Sequence, residues 1–110
     1  MDDATIKGVT RAASAALAAL ENGSSAVDAC EIAVKVLEND TAFDAGHGSV
    51  LNEEGKVEMD SCLMRGSDLN CGSVAGVSCV RNPITLARNV MEKTPHCMIA
   101  GDEPTRKFAI

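Results

Sequence analysis

The segment FDAGHGSVLN, Phe43 to Asn52, gathers the residue types that do chemistry. His47 stands between Gly46 and Gly48, just after Asp44. An imidazole titrating near neutral pH can serve as a general base or a metal ligand. A glycine pair can cradle a phosphate, but no lysine follows here and no G-x-G-x-x-G occurs. The glycines read better as a turn that needs their backbone freedom. His47 then reads as a turn residue. Asp60 and Asp68 have no spacing that makes them a working carboxylate pair, and solvated or capping roles suit them. His96, after Pro95, reads as a packing histidine. Arg81 and Arg88 read as surface or interface charges.

Five cysteines, Cys30, Cys62, Cys71, Cys79 and Cys97, invite a redox or metal reading. Their number is odd and no C-x-x-C occurs, so zinc spacing is absent. They are expected to be small core residues in a reducing compartment, which points to a cytoplasmic location. The net charge of −6, from 16 acidic and 10 basic residues, argues against nucleic acid or an anionic membrane as partner. No apolar run reaches the roughly 18 residues of a membrane-spanning helix. The acidic start MDDATIKG lacks the apolar core of a signal peptide.

The elements that must position these residues are legible in outline. At 110 residues the chain is one domain or part of one. Aromatic residues make up only 2%, so the core must be built from Ala, Val, Leu, Ile, Met and Cys. From Thr5 to Asn22, Ile6, Val9, Ala13, Ala16, Leu17 and Leu20 recur at helical spacing, and Asn22–Gly23 is a stop. Ser25 with Asp28 forms a capping-box pattern that starts a second helix. That helix carries one polar stripe, Asp28, Glu31, Lys35 and Glu38, and is expected to be covered on its other sides.

After a polar loop from Asn39, SVLN-EEG-KVEMD reads as two short runs joined by a turn. Val57 and Met59 alternate with charged residues, as in a half-buried strand. The run Cys71–Val80 reads as a central strand covered on both faces, with Gly72 and Gly76 admitting another layer. Asn82–Pro83 opens a third helix that Thr94–Pro95 ends. HCMIA, His96 to Ala100, reads as a short buried strand, Gly101 to Pro104 as a turn, and TRKFAI as the first turns of a fourth helix. The composite is an α/β (α+β) chain, and a single incomplete domain over 1–110.

Several strings carry a resemblance. GSSAVDAC, FDAGHGSVLNEEGKVEMDSCLM and NPITLARNVMEKTPHC, in that order, are similar to the isoaspartyl peptidase/L-asparaginase family, the plant-type asparaginases among the N-terminal-nucleophile (Ntn) hydrolases. The resemblance runs from about Arg11 to His96. It implies a four-layer αββα sandwich of which this chain supplies part. It implies a precursor that cuts itself, exposing a threonine in a Gly-Thr-Val-Gly context at the start of the second subunit. That hydroxyl attacks the amide with its own α-amine as base. The substrates implied are small molecules, asparagine and β-aspartyl dipeptides.

No Gly-Thr-Val-Gly occurs here, and none of Thr5, Thr10, Thr41, Thr85, Thr94 or Thr105 matches the nucleophile's context. The chain is therefore expected to be the N-terminal α-subunit portion, trimmed at both ends, with no catalytic residue of its own. Its partner would be the threonine-bearing β-subunit, in a homo-oligomer of αβ units. The family also implies a structural sodium ion held by main-chain carbonyls. By position these are Leu37, Glu38, Asp40, Phe43, Ala45 and His47. Carbonyl oxygens suit a hard cation. Asp44 falls near the nucleophile, where the family usually has asparagine. The alternative function is a non-catalytic binding or regulatory paralogue, or a truncated product, that pairs with a complete family member.

Overall fold

Asp2 starts the first helix by accepting the Thr5 N–H at 2.9 Å, an amide with no partner inside the helix. Helix α1 (Asp3–Glu21) runs to Gly23, whose φ of +87° is the left-handed stop its type allows. Ser25 then closes a reciprocal box. Its hydroxyl accepts the Asp28 N–H at 3.1 Å, and the Asp28 carboxylate accepts the Ser25 N–H at 3.3 Å. Helix α2 (Ala26–Glu38) follows. The structure, a computed structural model, describes residues 2–106 and 108.

The helical spacing of α1 holds, but its apolar stripe is not the buried face. Gly8 and Ala12 are buried, while Ile6, Val9, Leu17 and Leu20 are exposed. Helix α2 packs on α1 yet is only half-covered along most of its length. Its most buried polar residue is Glu38, at 3% exposure, although the polar stripe placed it in solvent.

Strands β1 (Met59–Met64) and β2 (Cys71–Val77) pair antiparallel, Met64 opposite Cys71 and Met59 opposite Val77, with a register shift at Asp60. Helix α3 (Pro83–Lys93) leads to β3 (Ile99–Ala100), which lies parallel to β2 with Ile99 beside Val74. β2 is thus the central strand, as its small apolar run implies. The expected hairpin is reduced to one bridge, Leu51 to Val57, around a turn pinned by the Asn52 side chain.

Met59, Val74 and Val77 of the sheet meet Leu86, Ala87 and Val90 of α3. Each fully buried valine or leucine there contributes about 1.5–3 kcal/mol. A second cluster, Leu63, Ile84 and Met91, joins α3 to Val27 and Val34 of α2. Gly72 is needed because α3 lies directly on β2: a Cβ there would overlap the Ala87 carbonyl and the Met91 amide. Gly76 serves differently from the expected close layer. Nothing lies near it, but its φ is +61° and its N–H donates to Asp60 at 2.8 Å across the register shift.

Further expectations need correction. β2 is covered on one face only, with Cys71, Ser73 and Ala75 half-buried on the other. The segment from His96 to Met98 is exposed and outside the strand, so His96 is not a packing residue. The cysteines are not core residues: Cys30, Cys62 and Cys97 are exposed, Cys71 and Cys79 half-buried, and all five thiols are free. A short helix, α4 (Asp102–Arg106), begins where a turn was expected. The last residues of TRKFAI, Lys107, Ala109 and Ile110, lie outside the described residues. Among the described residues no helix is long and apolar enough to cross a membrane.

Candidate functional site

The segment 37–50 leaves α2 as a tightly folded loop held by its own amides. The Asp40 N–H donates to the Leu37 carbonyl at 3.2 Å and the Phe43 N–H to the Asp40 carbonyl at 3.3 Å. A single 3-10 turn, Gly46–Gly48, closes it, with the Gly48 N–H on the Ala45 carbonyl at 3.1 Å. Gly46 has φ +53° and is buried against α2; a Cβ there would lie 2.5 Å from the Glu38 carbonyl oxygen. A Cβ at Gly48 would overlap the Phe43 carbonyl oxygen and lie 3.0 Å from that of Asp40. The turn therefore requires glycine at both positions. The carbonyls of Asp40 and Phe43 converge beside Gly48.

Three elements fix this loop. From α1, the Arg11 guanidinium pairs with the Asp40 carboxylate at 2.6 Å, and the Phe43 ring sits in the notch left by Gly8. From α2, the Glu38 side chain turns inward. Its two oxygens accept the Asn82 side-chain N–H and the Ile84 N–H, each at 3.1 Å. Burial pushes the Glu38 carboxyl above its ordinary range, and these two donors oppose the shift. From the entry to α3, Arg81 and Asn82 both donate to the Asn39 side-chain oxygen, at 3.2 and 3.1 Å. Asn82 thus precedes the helix as expected, but its side chain holds α2 and not its own helix end.

Of the six residues assigned to the sodium cage, Leu37 and Glu38 end α2, and Asp40, Phe43, Ala45 and His47 lie on the loop that follows. Their side chains could not form the cage: among the described residues no group of three His, Cys, Asp or Glu could hold a metal. Their carbonyls form a different donor set. The Asp40 and Ala45 carbonyls each already accept one backbone N–H, and the Leu37 carbonyl accepts those of Asn39 and Asp40. Glu38, Phe43 and His47 accept no hydrogen bond at their carbonyls among the described residues. The Asp40 and Phe43 oxygens lie together at Gly48, and neutral oxygens of this kind are donors a hard cation takes.

His47 is exposed, between a hollow of about 580 Å³ beside Arg11 and Asp40 and one of about 410 Å³ beside Val57, Ser78 and Arg81. Asp44 is also exposed, and one of its oxygens accepts the Val50 N–H at 2.8 Å. Asp60 and Asp68 are not paired. Asp60 holds Gly76, while Asp68 receives Arg65 and the Asn70 N–H, which hold its carboxyl at about 2. Arg88 is no simple surface charge. It joins Asp28 and Glu31 of α2, at 2.6 and 3.0 Å, to Glu92 of its own helix.

Gly8, Arg11 and the side chains of Glu38 and Asn82 were absent from the sequence-based site. Only Gly8 left a signal, because glycine inside a helix costs about 1 kcal/mol against alanine and so implies a packing reason.

The sequence of this α+β chain matches a known family. A sequence model of the asparaginase family covers residues 1–110, and the chain belongs to that family. It is 54% identical to the isoaspartyl peptidase/L-asparaginase of Mus musculus over 103 residues, which is 94% of this chain and 31% of that protein. It is 53% identical to the Homo sapiens protein of the same name, covering 94% of this chain and 33% of that one. It is 52% identical over 104 residues to the plant-type L-asparaginase of Pyrococcus abyssi, again 94% and 33%. The chain spans about a third of the length of these relatives.

Proposed function

We propose that this chain is the N-terminal, non-nucleophile portion of an isoaspartyl peptidase/L-asparaginase. It acts on L-asparagine and β-aspartyl dipeptides once joined to a threonine-bearing part. The observation that carries the reading is the match of 94% of the chain, at 52–54% identity, to proteins of that name, with no threonine in a nucleophile's context.

In this reading the threonine hydroxyl of the other part attacks the substrate's amide carbon, its α-amine taking the proton. Residues 37–50 support that threonine from one side. The carbonyls of Leu37, Glu38, Asp40, Phe43, Ala45 and His47 hold a sodium ion. Bound there, the ion would supply a fixed positive charge. Asp44 faces the nucleophile. The oxygen that receives the Val50 N–H does what an asparagine oxygen would do, so the loop keeps its shape. The second oxygen brings a negative charge where asparagine would bring an amide.

The half-covered sheet face, with Met64 at 61% exposure, supports a second sheet packing there and hence an αββα sandwich. The exposed stripe Ile6, Val9, Leu17 and Leu20 supports further contacts between αβ units. The same surfaces would serve a non-catalytic paralogue that pairs with a complete family member. Native mass spectrometry tests the reading. Mixed with the threonine-bearing subunit of the mouse relative, the chain is expected to form a complex with equal numbers of each. Failure of two folded parts to associate would contradict it.

A further inference from the structure

Two of the six carbonyl-bearing residues are anchored to the same place on α1. Gly8 and Arg11 are one helical turn apart and so share a face. Gly8 is buried, and a Cβ built on it would overlap the Phe43 ring and lie 2.9 Å from the Asp40 carboxylate. Arg11 grips that same carboxylate at 2.6 Å. The other Asp40 oxygen accepts the Ala42 N–H at 2.9 Å, so the carboxylate joins α1 to the backbone of the loop. The carbonyls of Asp40 and Phe43 are the pair that converges beside Gly48. Their direction is therefore set by how deeply the ring and the carboxylate sit on α1.

We propose that Gly8 and Arg11 are positioning residues for the cation loop: the Gly8 notch seats the Phe43 ring, Arg11 seats the Asp40 carboxylate, and together they set the loop's affinity for sodium. This rests on the proposed carbonyl site. Neither residue touches the ion. Gly8 acts by leaving room, since any side chain there pushes the ring and the Phe43 carbonyl outward. Arg11 acts by fixing Asp40, and this effect opposes the repulsion its own charge exerts on a nearby cation. The geometric effect dominates because the Arg11 charge is already paired with the half-buried Asp40 carboxylate at 2.6 Å. Loss of such outer support at metal sites typically weakens binding roughly 10- to 100-fold.

The test is sodium titration of the 110-residue chain, followed by 23Na line broadening, with lithium at equal ionic strength as the control. The variants are Gly8→Ala, Arg11→Gln and Gly8→Ala with Phe43→Leu, each checked for helix content by circular dichroism. The wild type is expected to bind sodium in preference to lithium. Gly8→Ala and Arg11→Gln should bind it at least about tenfold more weakly. The double variant, whose smaller side chain relieves the overlap, should recover most of the loss. Unchanged sodium affinity in folded Gly8→Ala or Arg11→Gln overturns the proposal while leaving the carbonyl site standing. If Gly8→Ala does not fold, a folded double variant that binds like the wild type supports the proposal. A double variant that folds without binding, or does not fold, overturns it. No sodium preference in the wild type removes the carbonyl site and this inference with it.

Discussion

The Glu38 carboxylate accepts the Ile84 N–H at 3.1 Å, so the last residue of α2 caps the first turn of α3. The residues are 46 apart in sequence, and the bond is buried. The Glu38 carbonyl meanwhile lies against Gly46. One residue thus fixes both the core helix and the loop that carries the site.

Glu38→Ala is expected to destabilise the chain by about 1–3 kcal/mol, because it leaves a buried amide without an acceptor. Glu38→Gln should cost less, since its one carbonyl oxygen can still take the Ile84 N–H. Urea denaturation of the three proteins checks the order.

Gly72→Ala forces a methyl group into the α3 backbone and should cost about 1–3 kcal/mol or more. Gly76→Ala meets no neighbour, so its cost should be confined to the positive φ, about 1–2 kcal/mol. Thermal melts of both variants separate a packing role from a backbone one. An undiminished Gly72→Ala melt would contradict the close approach of α3.

Cysteine labelling should follow burial. Cys30, Cys62 and Cys97 are exposed and should react first with a neutral alkylating agent. Cys79 should react last, because burial raises its thiol pKa and the nearby Asp102 carboxylate raises it further. Peptide mapping over time gives the order. Early modification of Cys79 would show that the end of β2 opens readily.

Asp102 gives the fold an acid-sensitive contact. The Ser78 hydroxyl and amide, and then Cys79, hold its carboxyl at about 2, below the ordinary 3.8. A lowered pKa means that the ionised form is favoured by folding. Its stabilisation is therefore full above the unfolded value near 3.8 and is lost as pH falls through about 2. Asp102→Asn should be less stable at neutral pH and should show a shallower loss of stability between about pH 4 and pH 2. Denaturation midpoints across that range provide the check.

What the sequence made legible was local. Ser25 with Asp28, Gly23 after Asn22, and Pro83 at a helix start each act within a turn of themselves, and each was found where read. The central position of β2 followed from its small apolar run. Glu38 was misjudged because its place on a polar stripe says nothing about a helix arriving 46 residues later to bury it. The cysteines were misjudged for a related reason: Cys62 and Cys71 alternate onto the sheet face that α3 does not cover. His96 to Met98 is apolar enough for a strand, but the backbone pairs only at Ile99 and Ala100. For the site, Asp44, His47 and the glycines stood out by composition. Gly8 and Arg11 lie on another element, and only folding brings them to Phe43 and Asp40.

The most direct test of the central claim is aspartate release from a β-aspartyl dipeptide. It would be measured for the pure chain and for the chain assembled with the threonine-bearing subunit of the mouse relative. The expected result is no turnover by the chain alone and clear turnover by the assembly. Turnover by the pure 110-residue chain would contradict the account, because the nucleophile would then have to lie among the threonines set aside here.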